Sequence, residues 1–486
     1  MASPLAVLAL IGRMLVLFAL MMGVPLGFAL VQQDAGIEPF ARSAFITLAA
    51  GVALSLVMRR FRRELQARDG FVLVVMTWLL LPAFGALPLW LAIPGLDVTD
   101  AYFEAVSGFT ATGATVLSGL DELPLSVNVW RCFMMLIGGL GIIVLAVAIL
   151  PMLGVGGAQL FRAEMAGPLK DQQKLTPRMS ETARGLWVVY FVVSTSCFFA
   201  YRWAGMSWSD AFMHMCTTMG LGGFSSHDQS FGYWNSPLIE TVAIVFMLLA
   251  GVNFALYFVA LRQRSFRALW CDIELRAFYL VVLAAVAVLT VFLIMHEVTA
   301  DAWKALRYSA FHVVSLATTT GYAATDYELW PVFAPLLMLL LGCFATCAGS
   351  TGGGIKMVRM LLLLKQSTRE LVRIIHPNVV NPVVYGGRVV SPRVMQSVIA
   401  YMMLYGASLV GFTMLLLFSG LDVVTAFTAV VACLNNIGPG LGLVGPTQHF
   451  GVLTEFQTWV CTFAMLLGRL ELLSVLVLFT PQFWRT

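Results

Sequence analysis

Charged side chains make up only 11% of this 486-residue sequence, where a soluble domain carries about a quarter. That scarcity excludes a water-soluble enzyme with one greasy tail, and it excludes a nucleic-acid binder. Cysteine is also sparse: eight residues, scattered through apolar runs with no Cys-x-x-Cys pair. A secreted disulfide scaffold and a cysteine-built metal site are therefore excluded, and the thiols read as small buried hydrophobes. The six histidines are dispersed, with no His-Glu-x-x-His, and His214 and His312 are expected to hydrogen-bond locally. No small-x-small cleavage site follows the first apolar run, so the segment after Arg13 reads as an uncleaved first helix. What is present is apolar: 60% of the residues are hydrophobic, and the mean hydropathy is +0.88. The composition describes a polytopic membrane protein.

A spanning helix needs about 20 mainly apolar residues. Runs of that kind stand at about 4–30, 43–58, 71–93, 131–153, 185–204, 237–261, 277–296, 333–363, 394–419 and 455–480. Ten spans place both termini on one side. Of the 29 lysines and arginines, 23 fall on a single face of that arrangement, which the positive-inside rule makes cytoplasmic. The opposite face carries sixteen acidic residues, a distribution suited to collecting cations.

The connections on the acidic face share one plan: an aspartate, a short semi-apolar stretch, then a polar turn ending in glycine. They run from Asp100 to Gly113, Asp210 to Gly220, Asp301 to Gly321 and Asp422 to Gly438, with the glycines 107, 101 and 117 residues apart. Such segments are too short to cross a bilayer and too apolar for solvated loops, so they read as re-entrant hairpins. Four of them converging on one axis would offer turn carbonyls in place of a cation's hydration shell. Glycine would allow the required backbone angles. The aspartates are expected to cap the short helices, whose negative C-terminal ends would then point at the ion. The predicted fold class is an all-α polytopic membrane protein, with four helix–pore-helix–helix repeats around a central ion pore. The boundaries are 1–70 for an extra N-terminal helical pair, then 71–157, 158–262, 263–375 (with a broken gate helix) and 376–486.

These residues resemble the Trk/Ktr/HKT superfamily of potassium transporters, and most of all the membrane subunits of bacterial Trk uptake systems. The likeness covers the whole chain and is carried by TATGAT (110–115), TTMGLGGFS (217–225), TTTGYAATD (318–326) and NNIGPGLG (435–442), with the broken eighth span and Arg469. It implies potassium uptake across a bacterial inner membrane through a channel-like filter with one glycine per repeat: Gly113, Gly220, Gly321 and Gly438. The carbonyl donors it implies are Ala111 and Thr112, Thr218 and Met219, Thr319 and Thr320, and Asn436 and Ile437. Asparagines replace threonines in the fourth repeat, so side-chain amides are expected to brace that loop. Relatives preferring sodium can carry serine at the first glycine, and glycine here favours potassium.

Beneath the filter, the resemblance implies a gate made by Gly349, Ser350, Thr351, Gly352, Gly353 and Gly354 in a broken eighth span, read as 342–354. Glycines there cost about 1 kcal/mol each relative to alanine in a helix; a kink for close packing is the plainer alternative. Arg469, at membrane depth, would project into the pore as a barrier to cations. The alternatives are pairing with Glu471 of another protomer, or snorkelling to the interface. Glu471 reads as the one acidic residue convincingly within a span, which disfavours a proton relay.

The family also implies a homodimer in membrane lipid, regulated by a cytosolic TrkA-like ring that binds NAD and ATP. The basic loops 158–184, 262–276 and 365–393 are either its docking face or simply the positive-inside signature. Nothing suggests a nucleotide site on this chain. Gly440-Leu-Gly442-Leu-Val-Gly445 has no preceding strand, and Gly349 to Lys356 lacks the Gly-Lys-Ser/Thr of a phosphate-binding loop. The transported ion is K+, and no enzymatic constellation is visible. A rival within transport is potassium symport coupled to sodium or protons.

Overall fold

The computed structural model describes residues 4–61, 67–144 and 175–484. Arg162, Lys170 and Lys174 of the basic loops, and the end of the 131–153 run, lie outside them. Among the described residues seven helices are long and apolar enough to cross a membrane, or nine if each of two bent pairs counts as one span. Helices α1 (Pro4–Met21), α2 (Gly23–Gln32) and α3 (Ile37–Val57) come first; α1 and α3 pack on α4 (Ala67–Ala92), and α2 on the later helix Leu125–Val144, around a cluster that includes Phe18, Phe40 and Leu89. Helix α3 is longer than the second apolar run, because Glu38 and Arg42 pair across one turn inside it. The regular structure of the described residues is helical, apart from a two-residue hairpin pairing Val384–Tyr385 with Arg388–Val389.

Four short helices are the structural signature: α5 (Val98–Thr110), α8 (Trp208–Gly220), α13 (Ala302–Ala317) and α17 (Val423–Leu434). Between them in the chain lie α6 (Leu125–Val144) and α7 (Leu175–Trp203), then α9 (Pro237–Ala250), α10 (Phe254–Gln263), α11 (Arg267–Cys271) and α12 (Ile273–Met295). Next come α14 (Phe333–Phe344), α15 (Met357–Ile375) and α16 (Pro392–Phe418), and last α18 (Glu455–Arg469), α19 (Leu472–Leu476) and α20 (Pro481–Trp484). The short helices hold 12 to 16 residues, about 18–24 Å at 1.5 Å per residue, against about 30 Å of hydrocarbon. Each is buried on all sides over its C-terminal half, which is where non-spanning backbone at membrane depth has to be.

The expected aspartate caps hold for two of the four. Asp301 accepts from the Trp303 amide and Asp422 from the Thr425 amide. In the first two helices the cap lies three residues earlier, at Asp97 and Ser207, and Asp100 and Asp210 sit in the first turn. A carboxylate there still favours the helix N-terminus electrostatically.

Beyond the one-residue interruption at Met22 between α1 and α2, three of the apolar runs are broken among the described residues. The break in the eighth occupies 345–356 rather than 342–354, because α14 persists through Phe344. Cys347 consequently lies beyond α14 and shares no helical face with Cys343. The 237–261 run bends by 83° between α9 and α10, where Asn253 accepts from the Ala255 amide and starts a new helix. The 455–480 run bends by 108° after Arg469, with Glu471 in the left-handed region at φ 57°. Hydrophobicity alone concealed both bends.

Candidate functional site

Every short helix ends in the same turn. The amides of Ala111, Leu221, Thr319 and Asn436 donate to the carbonyls of Gly108, Thr218, Leu316 and Cys433. The next amides, of Thr112, Gly222, Thr320 and Ile437, reach back five residues to Ser107, Thr217, Ser315 and Ala432. This is the six-to-one closure of a helix whose cap residue is left-handed. Ala111, Leu221, Thr319 and Asn436 accordingly have φ of 49°, 53°, 60° and 54°. Two residues further on stands a glycine with positive φ: Gly113, Gly223, Gly321 and Gly438, at 87°, 75°, 85° and 101°.

The second repeat therefore departs from the expected register. Gly220, Thr218 and Met219 lie inside α8, and their places in the turn are taken by Gly223, Leu221 and Gly222. Letter matching aligned Thr-Thr-x-Gly with its counterparts. The helix in this repeat carries its threonines three positions earlier, because Leu221 supplies the left-handed cap. The pair of positive φ values, not the threonines, defines the turn.

The four turns close on one another in a ring. A Cβ on Gly113 would collide with the carbonyl oxygen of Gly222, one on Gly223 with that of Thr320, and one on Gly321 with that of Ile437. A Cβ on Gly438 would lie 2.9 Å from the carbonyl oxygen of Thr112, which completes the cycle. Each glycine thus faces the carbonyl just before the next glycine. On one side of the ring, all four glycines line a cavity of about 330 Å³ together with Arg131, His227, Asp228 and His449. Such a ring presents convergent neutral oxygens, the chemistry that replaces a dehydrated cation's water. Among the described residues no cluster of histidine, cysteine and carboxylate side chains could hold a metal.

Hydrogen bonds behind the ring hold it in shape. Thr112 contacts Thr110 Oγ1 at 2.6 Å and accepts from Asn436 Nδ2 at 2.8 Å, joining the first and fourth turns. The amide brace expected of the fourth loop is this contact. Tyr322 OH, in the third turn, meets Thr217 Oγ1, and Thr218 Oγ1 at 3.0 Å, in the second helix. Thr218, expected as a carbonyl donor, and Thr217 beside it thus support the ring from behind through their hydroxyls. Close approach to the spans comes from Gly138, Gly342 and Gly468, where a Cβ would crowd the carbonyls of Phe109, Leu316 and Leu434.

The 345–356 segment lies at the other end of the ring, under the C-terminal ends of the short helices. The amide of Gly353 donates to Thr319 Oγ1 at 2.8 Å, and a Cβ there would strike the Asn435 carbonyl. Phe254 N donates to Gly349 O, and Cys347 N to Gly251 O, so the bend after α9 is filled by this loop. Thr351 O accepts from Arg469 Nη1 at 2.8 Å. Ser350 Oγ turns back onto Cys347 O, and Lys356 Nζ onto Gly352 O. Glu274 Oε1 accepts both the Ala348 and Val358 amides, at 2.8 and 3.0 Å, and so clamps the two ends of the segment.

Arg469 is 3% exposed. Its Nε and Nη2 meet no acceptor among the described residues. Glu471 does not pair with it, and is instead 2.7 Å from Arg359 Nη2 at the start of α15. That ion pair joins the bend after α18 to the end of the intramembrane segment. Nothing in the sequence spacing announced it, since the partners lie 112 positions apart.

With this geometry in place, the likeness to known proteins is direct. The TrkH family model, described as a cation transport protein, matches residues 37–486. The chain is 43% identical over 481 residues to the Trk system potassium uptake protein TrkH of Salmonella typhimurium, with 99% of each covered. It is 40% identical over 476 residues to the Trk system potassium uptake protein TrkG of Escherichia coli, covering 98% of this chain and 97% of that one. The crystal structure of the potassium transporter TrkH from Vibrio parahaemolyticus matches with a TM-score of 0.91 at 39% identity, covering all of both chains. An all-helical membrane fold with four converging turns, matched from end to end by these proteins, places this chain in the TrkH family of cation transport proteins.

Proposed function

We propose that this chain carries potassium into a bacterial cell across its inner membrane, through the ring formed by its four turns. The observation that supports this reading best is the cyclic facing of Gly113, Gly223, Gly321 and Gly438 with the carbonyls of Gly222, Thr320, Ile437 and Thr112. The relatives are named potassium uptake proteins, and the ring offers this chain a means to the same end. In this reading the carbonyl donors are Ala111 and Thr112, Leu221 and Gly222, Thr319 and Thr320, and Asn436 and Ile437. An inward-negative potential supplies about 2.3 kcal/mol per unit charge per 100 mV, so uptake needs no chemistry from the protein.

The segment from Gly349 to Gly354 is the gate of this pathway, and Arg469 is its electrostatic lock. Both termini face the cytoplasm, where most of the basic residues gather. The four repeats follow the boundaries 71–157, 158–262, 263–375 and 376–486. The protein works as a homodimer, and its basic cytoplasmic loops receive a TrkA-like ring that binds NAD and ATP.

The deciding experiment is cation flux into proteoliposomes containing only the purified chain, under an imposed inward-negative potential and with no coupling gradient. Potassium inflow well above sodium inflow is the expected result. Inflow that begins only when a sodium or proton gradient is added would replace the passive pore with symport.

A further inference from the structure

On the far side of each glycine, the chain climbs away from the ring, and in every repeat its backbone meets a polar side chain from the short helix behind it. In the first repeat Glu104 Oε2 accepts the Val116 amide at 3.0 Å and Oε1 accepts Thr115 Oγ1 at 2.9 Å. In the third, His312 donates from Nδ1 to the Tyr308 carbonyl at 2.8 Å, leaving Nε2 to accept the Ala324 amide at 3.1 Å. In the fourth, Thr428 donates to Val424 O at 2.7 Å and accepts the Leu441 amide at 2.9 Å. Val116, Ala324 and Leu441 each stand three residues after their glycine, so the three contacts are equivalent. The second repeat inserts a hydroxyl. His214 Nδ1 donates to Asp210 O, Nε2 contacts Ser225 Oγ at 3.1 Å, and that oxygen accepts the His227 amide at 3.2 Å.

All four side chains are at most 2% exposed. Their chemistry differs, but their task is the same: each gives an otherwise unpaired amide of the ascending limb a buried acceptor, directly in three repeats and through Ser225 in the second. In the first repeat the acceptor is a carboxylate, and Arg131 Nε binds it at 2.8 Å. The same guanidinium lies 4.4 Å over the Phe224 ring, so this brace also grips the second turn. A buried backbone donor without its acceptor would move the limb or draw in water. Either change would alter the spacing of the carbonyls just below.

We propose that Glu104, His214, His312 and Thr428 are positioning residues that set the ion preference of the ring by holding the four ascending limbs. The inference rests on the reading of the ring as a cation pathway. Thr428 offers the cleanest test, because Thr428→Val keeps its shape and removes the acceptor, whereas Thr428→Ser restores it. Both variants and the wild-type protein would be reconstituted, and the potassium-to-sodium permeability ratio measured, with thermal stability as a control for folding.

The expected result is a potassium-selective wild type, a ratio lowered roughly fivefold in Thr428→Val, the factor that one lost hydrogen bond sets, and recovery in Thr428→Ser. His312→Leu against His312→Gln is the independent second pair, with loss expected only in the leucine variant. If the wild type is selective and both Thr428→Val and His312→Leu keep its ratio, the braces have no positioning role and the pore reading stands. If the wild type itself does not distinguish potassium from sodium, the pore reading fails first, and the inference with it.

Discussion

On the proposed pathway Arg469 is the electrostatic lock, tied to the intramembrane segment through one carbonyl, Thr351 O. An ion passing roughly 10 Å from a unit charge is opposed by about 1.7 kcal/mol at an effective dielectric of 20. Arg469→Ala is therefore expected to raise basal rubidium flux in liposomes more than tenfold, while an unchanged flux would remove the arginine from the pathway. The second-repeat register makes a sharper test. Gly223→Ala forces a Cβ into the Thr320 carbonyl at positive φ and is expected to abolish potassium-over-sodium preference. Gly220→Ala would press on the Met135 carbonyl, 2.6 Å away, and is expected to lower thermal stability without changing that ratio.

That register also marks a limit of legibility at this scale. Three glycines of the ring could be read from the sequence because a polar turn precedes each of them. In the second repeat the motif contains Gly220, Gly222 and Gly223, and composition cannot say which glycine takes a left-handed angle. The end of a helix decides it. The local hydrogen bonding expected of His214 and His312 is present, but their shared purpose emerges only beside Glu104 and Thr428, which have different chemistry.

Among the elements, the intramembrane segment was the legible one, because a Gly-Gly-Gly run announces a break by its helix cost. The bends after α9 and α18 carry no glycine run: Asn253 caps the new helix locally in the first, and tertiary partners hold both, the Gly349 carbonyl in one case and Arg359 in the other. The segment fits so closely under the ring that Gly353→Ala, whose Cβ would meet the Asn435 carbonyl, is expected to displace it and raise basal flux. Ligand-free flux no higher than wild type would show that the segment does not obstruct the path.

Two loops on the acidic face are stapled by His227, which lies between Asp121 and Asp210 and stacks on Tyr233 at 3.5 Å. Burial pulls the His227 pKa down, but the facing carboxylates of Asp210 and Asp121 outweigh it, and the net shift is upward from 6.5. Burial alone would raise Asp210, yet His227, Ser207 and Ser226 hold it below the usual carboxylate range. For a raised histidine, the stabilisation is complete below pH 6.5 and is lost as pH climbs through the higher folded value. Thermal stability is therefore expected to fall on the alkaline side of pH 6.5, and His227→Gln to flatten that slope in a melting series across pH 5 to 9.

For the whole molecule, the distribution of charge and the apolar length of the spans were plain from the sequence, as was the repetition of four short segments. Hidden from it was the closure of the four turns into a cycle, because three of the contacts join residues about a hundred positions apart and the closing one, Gly438 to Thr112, more than three hundred. That cycle is formed by one continuous chain. In a pore assembled from identical subunits, every substitution is repeated around the axis, and a small change near the ion is multiplied at once. Here a substitution touches one quarter and leaves the other three as they were. The four sides are therefore free to diverge separately, as the carboxylate, two imidazoles and a hydroxyl behind them already have. On the proposed pathway, ion preference can drift by small steps, each tolerable alone, instead of by a single change imposed on every side.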